Sequence, residues 1–192
     1  MHESALGFRV KSGWAAVVLL VGPVPSPQVH DSRVINLSDP AVPESKQPFH
    51  AAMGKLEEDH LKVERRTKVV QQVTLKSVAE LIQNYRDASY TIRGAGLVVG
   101  SQIDPTVIKN PHIRAHALEG QLFRTVLEEA LRSQGLPCRV VVERNAYTQA
   151  AAVLGRAEDE LKRTVSAFGR SRSGPWRADE KLAALAAWMV LA

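Results

Sequence analysis

The sequence predicts an α/β protein of one domain spanning residues 1–192, with a mixed sheet of early antiparallel and later parallel strands flanked by helices. Three observations carry that expectation. Two strand-length segments open the chain, at 5–21 and 28–37, and are separated by turn residues. After them, long stretches with helical spacing alternate with two further apolar runs, at 90–100 and 136–143, and strand–helix–strand crossovers enforce parallel pairing. Aromatic residues make up only 5% of the 192 residues, so the core must be built of Ala, Val and Leu, which suit helices packed on a buried sheet.

Taken in order, residues 5–21 are apolar apart from polar punctuation at Lys11-Ser12-Gly13. They read as one bent strand or as two strands joined at Ser12-Gly13. The Pro-rich run at 22–27 breaks the chain. Residues 28–37 alternate imperfectly, as an edge strand does. From Pro48 to Arg86 there is no further proline and one glycine, Gly54. Leu56, Leu61, Val63, Val69, Val70, Val73, Val78, Leu81 and Ile82 recur there at three- and four-residue spacing, which predicts one long helix over 48–86 or two helices broken near Thr74. Residues 90–100 are the next strand, and 112–134 a helix stopped by Gly135. A third parallel-type strand follows at 136–143, then helices at 148–154 and 156–168 separated by Gly155. A basic loop at 169–175 leads to a closing helix at 178–191, whose buried stripe is Leu182, Leu185, Ala186 and Met189.

Several function classes are excluded or weakened by the totals. Cys138 is the only cysteine, so neither an intrachain disulfide nor a thiolate zinc cluster can form. It is expected as a small buried hydrophobe. The longest apolar run, 14–21, is far too short to cross a membrane, and prolines rather than small residues follow it, so cytoplasmic residence is the expectation. Lys and Arg exceed Asp and Glu by 25 − 20 = 5, a mild bias toward polyanionic partners.

Among candidate sites, His112 and His116 stand four apart at a helix start with Glu119 a turn further on, so three potential ligands share one face. No general-base Glu follows His112, however, and the zinc-protease pattern is absent. They are expected as polar first-turn residues, with no metal bound. The Gly-x-Gly at Gly94-Ala95-Gly96 lies within a strand and not after one, so it is expected to allow a bulge or the close approach of a helix. Arg170, Arg172 and Arg177 surround Trp176 near the last helix, a set suited to phosphates and a stacked base. Lys11, Ser12 and the Gly13 amide offer a smaller phosphate contact.

Three stretches carry a family resemblance. Leu6-Gly7-Phe8-Arg9-Val10-Lys11-Ser12-Gly13 resembles the opening strand and turn of the RuvC-type Holliday-junction resolvases of the ribonuclease H-like superfamily, Leu-Gly-Ile-Asp-Pro-Gly. Residues 151–161 are similar to that family's Gly-containing stretch between two late helices. Residues 178–186, with Asp179 and Glu180, resemble its closing helix. The resemblance implies a ribonuclease H-like mixed sheet and, for an active member, several carboxylates around a pair of Mg²⁺ ions. Here the first-strand acid position holds Arg9, and the second falls among Val98, Val99 and Gly100, none of which binds metal. Only Asp179 and Glu180 remain as weak catalytic candidates, so an inactive nuclease is expected, with Mg²⁺ needed only if a divergent nuclease or resolvase persists. The resemblance also brings the first strand near the last helix. Arg9, Lys11, Arg170, Arg172 and Arg177 are then the expected phosphate or nucleic-acid contacts. A protein partner, a homodimer, or an assembly role for the 48–86 helix are the other readings.

Overall fold

The computed structural model describes residues 2–171 and 174–192, so Arg172 lies outside the described residues. Strand β1 (His2–Lys11) turns through Ser12-Gly13 into β2 (Trp14–Val21), with Lys11 opposite Trp14. The apolar opening segment is thus two antiparallel strands, and Gly13 supplies the positive φ of 84° that so short a turn needs. Strand β3 (Gln28–Asn36) pairs antiparallel with β2 and is largely exposed, as expected of an edge. Strands β4 (Tyr90–Val99) and β5 (Cys138–Val142) join β1 and β4 in parallel. The order across the sheet is β3-β2-β1-β4-β5.

Helix α1 (His60–Asp87) begins twelve residues later than its apolar spacing predicts. Met53 and Gly54 take positive φ values of 59° and 72°, and His50 bridges Leu56, so the chain from Pro48 folds back on itself. The Asp59 carboxylate then accepts the backbone N–H groups of Leu61 and Lys62 at 3.0 and 3.2 Å, fixing the helix start. Met53 is 90% exposed, so the apolar residues before 60 do not extend the buried stripe. At Thr74 the helix runs straight on. The buried Thr74 hydroxyl donates to the Leu37 carbonyl at 3.4 Å, which ties α1 to the end of β3. Helix α2 (Pro111–Ser133) starts with Pro at its first position, is capped by Asn110, and stops before Gly135 at φ 77°. Helices α3 (Ala146–Leu154) and α4 (Glu158–Ala167) are parted by left-handed Gly155, and α5 (Ala178–Leu191) closes the fold.

The pleat divides the strands between two cores. Leu6, Phe8, Val10, Val17, Leu19, Leu97 and Val99 pack under α1 and α2 with Val78, Ile82, Phe123 and Leu127. Ala5, Val18, Leu20 and Val98 pack under α3, α4 and α5 with Leu161, Leu185 and Trp188. Gly7 and Gly96 lie on this second face because α5 crosses it in backbone contact. A Cβ on Gly7 would stand 1.8 Å from the Ala183 carbonyl oxygen, and one on Gly96 2.4 Å from that of Ala186. Among the described residues no helix is long and apolar enough to cross a membrane.

Candidate functional site

Parallel pairing aligns the carboxyl ends of β1, β4 and β5: Arg9 lies beside Val98, and Val99 beside Val142. Ligands of open α/β sheets gather outside such ends. Here they open on a cleft of about 510 Å³. Residues 9–12 form one wall, the 99–104 loop another, and α2 from His116 to Arg124 the third.

Arg9 is the centre of the polar groups. It is 4% exposed, and one terminal nitrogen meets the Glu143 carboxylate in a short ion pair. The other donates to the carbonyls of Val10 at 3.0 Å and Val98 at 3.4 Å. Its Nε faces Asp179 Oδ1 at 3.6 Å, and Lys11 Nζ reaches the same oxygen at 3.2 Å. A buried guanidinium is tolerated only when so surrounded. The last helix therefore meets the first strand through Asp179. Glu180 does not join them: its carboxylate turns back to accept the Arg177 backbone N–H at 2.8 Å, capping α5.

The remaining predicted residues are dispersed. Val99 and Gly100 line the cleft and bring no oxygen ligand from their side chains. Asp104 lines it too, but its carboxylate caps a short turn, accepting from the Thr106 N–H and hydroxyl, which hold it below the usual range. Arg170 follows α4 and Arg177 precedes α5; both are exposed, and neither lines the cleft. Trp176 donates its indole N–H to the Val165 carbonyl at 2.8 Å and presses on Gly169, so it packs the loop against α4. Cys138 is half-buried, and burial pushes its thiol up to about 11, as suits an inert side chain.

Glu143 and His50 were not legible as site residues. Glu143 directly follows the apolar Val140-Val141-Val142 run, and its place at the carboxyl end of a parallel strand was the available signal. Apolar spacing alone puts His50 inside a helix starting at 48. The fold-back at Gly54 instead brings it against α2. There it contacts Glu119 through a 2.6 Å hydrogen bond, and its ring lies 5.3 and 4.5 Å from those of His112 and His116. Burial raises the Glu119 carboxyl, opposed by the His50 hydrogen bond. Burial and the neighbouring rings lower His116.

A three-strand antiparallel meander continued by two parallel strands and flanked by helices is a ribonuclease H-like α/β fold. Among solved structures the chain is similar to T. thermophilus RuvC in complex with a Holliday junction substrate, with a TM-score of 0.57 and 13% identity over 98% of this chain and 91% of that one. It is similar also to a second Thermus thermophilus RuvC structure, with a TM-score of 0.56 and 12% identity over 98% and 92%. Identity this low is a likeness of fold alone. No protein-family model and no curated protein matches the sequence.

Proposed function

We propose that this chain is a RuvC-type domain that holds nucleic acid by its phosphates and does not cut it. One observation carries the reading: a guanidinium stands where the first-strand carboxylate would be, and it pairs with one carboxylate oxygen each of Glu143 and Asp179. Two-metal cleavage needs carboxylate lone pairs free for the ions. Here Arg9 and Lys11 hold Glu143 Oε2 and Asp179 Oδ1 in ion pairs and so compete with any ion for both groups. The fixed cations balance the charge that metal would balance, but they cannot act as Lewis acids or acidify a bound water.

Support for phosphate binding comes from charges left over. The chain has five excess cations. Arg144, at the end of β5, is exposed beside the 100–103 loop, whose other side borders the cleft, and it makes no ion pair among the described residues. Arg163 on α4 is likewise exposed, with no ion pair among the described residues. Such cations bind phosphates by releasing counterions, an attraction that weakens steeply with salt.

The test pairs a gel shift with a cleavage assay on four-way junction, duplex and single-stranded DNA. The wild type should retard DNA at low salt. Arg144→Glu should weaken this uniformly and lower the salt slope by about 0.9 for each phosphate it no longer neutralises. No product should form with Mg²⁺ or Mn²⁺. Cleavage that Asp179→Asn abolishes would make the chain a divergent nuclease. Failure to retard any DNA at low salt would remove the nucleic-acid reading and favour a protein partner.

A further inference from the structure

Two sequence-distant segments bring three imidazoles together at the edge of the cleft. His112 and His116 lie one turn apart on α2. His50 arrives from the fold-back before α1. One nitrogen from each ring lies within 4.8 Å of the others, and the Nε2 atoms of His112 and His116 are 3.3 Å apart. Around a tetrahedral ion with metal–nitrogen bonds of about 2.0–2.1 Å, neighbouring nitrogens stand about 3.3–3.4 Å apart. The α2 pair already has that spacing.

The opposite ring nitrogens are held from outside. His50 Nδ1 bonds Glu119 Oε1 at 2.6 Å, and His112 Nδ1 bonds the Gly54 carbonyl at 2.7 Å. His116 Nδ1 faces Glu119 Oε2 at 3.7 Å. Carboxylate and carbonyl partners on the far nitrogen are what orient metal-bound histidines. An independent observation points the same way. The His50 side chain is only 9% exposed, yet its Nε2 makes no hydrogen bond among the described residues. A buried ring nitrogen without a partner is costly, and this one belongs to the ring pressed against His116.

We propose that His50, His112 and His116 bind one divalent transition ion of the zinc class through their Nε2 atoms, with Glu119 and the Gly54 carbonyl fixing the rings. An all-imidazole set favours zinc, copper or nickel over Mg²⁺, which prefers oxygen. Three protein ligands leave a fourth position for water or a small anion, and His116 lines the cleft. The ion would also tie the 48–56 segment to α2. This site is separate from Arg9 and does not depend on the resolvase reading.

The test uses the full chain without a polyhistidine tag, titrated with ZnCl₂ in metal-free buffer and followed by calorimetry and thermal unfolding. The wild type should bind one Zn²⁺ per chain and melt higher with it, and excess Mg²⁺ should not compete. His116, 49% exposed, can be changed without disturbing the core. His116→Ala should keep its far-ultraviolet circular dichroism while losing most of the affinity and the Zn²⁺-induced rise in Tm. Glu119→Gln should weaken binding about 10- to 100-fold. Co²⁺ in place of Zn²⁺ should give the intense visible bands of a tetrahedral site. Substoichiometric Zn²⁺ in the wild type, or His116→Ala binding as tightly as wild type, would overturn the proposal.

Discussion

A cation buried at a sheet's carboxyl end is stable only in the company of anions, and Arg9 has two, Glu143 and Asp179, with Lys11 sharing the second. Reversing that one charge tests the arrangement. In Arg9→Asp a third carboxylate enters a buried position beside two others, and like charges raise its pKa above the unfolded value of about 3.9. A raised folded pKa means that stability is present at low pH and is lost as pH climbs through it. The variant should therefore fall further below wild type in Tm at pH 7 than at pH 4. Three clustered carboxylates would also bind Mg²⁺ in the folded state only, so millimolar Mg²⁺ should raise the variant's Tm and leave wild type unmoved. A Tm loss equal at both pH values would show that the three side chains do not share charge. Arg9 itself was legible in the sequence, because it interrupts an apolar strand at the position of the family's acid. Its partner Glu143 was not, since 134 residues separate the two and only the parallel pairing of β1, β4 and β5 brings them together.

Elements were legible where short-range chemistry sets them. Ser12-Gly13, Gly135 and Gly155 each mark a turn or helix end because the backbone there needs a positive φ at its glycine. The start of α1 was misplaced because apolar spacing is blind to a fold-back, and the Met53-Gly54 reversal has no periodic signature. The glycines of β1 and β4 belong to this scale too, since they let α5 lie on the sheet in backbone contact. Gly7→Ala would drive a methyl to 1.8 Å from the Ala183 carbonyl oxygen, and neither partner is a side chain that could swing away. α5 must shift, so a loss at or above the usual overpacking range of about 1–3 kcal/mol is expected. Gly120→Ala is the unobstructed comparison and should be neutral or stabilising by up to about 1 kcal/mol, because beyond its own helix turn no described atom stands within 4 Å of where that methyl would go. Chemical denaturation of the two variants reads the difference. Equal stability would mean that α5 does not sit against β1 as described. Because Asp179 is carried by α5, the displaced helix should also loosen its ion pairs with Arg9 and Lys11.

At the scale of the whole molecule, the two cores have no seam between them because they share their strands. Phe8 and Leu97 point to the α1–α2 side, and Ala5 and Val98 to the α5 side. A strand cannot lose its partners on one face and keep its place on the other, so both layers should unfold together despite their separate helices. Leu127→Ala in α2 and Leu185→Ala in α5 test this from opposite sides. Both leucines are fully buried, and each truncation should cost about 2–5 kcal/mol. The midpoint in urea should fall in each variant without a change in slope, and circular dichroism and tryptophan fluorescence should report the same midpoint. The fluorescence comparison is made in a Trp14→Phe, Trp176→Phe background, where the one tryptophan left is Trp188, buried in the α5 core alone. In Leu127→Ala, whose lesion lies across the sheet, the fluorescence midpoint should move as far as the circular dichroism midpoint. The double variant should lose the sum of the two single costs to within about 0.5 kcal/mol, since the sites are separated by the sheet and share no partner. If Trp188 kept its wild-type midpoint in Leu127→Ala, the layers would be independent, and the polar cluster that joins β1, β5 and α5 would have to be maintained by α5 and its own core alone.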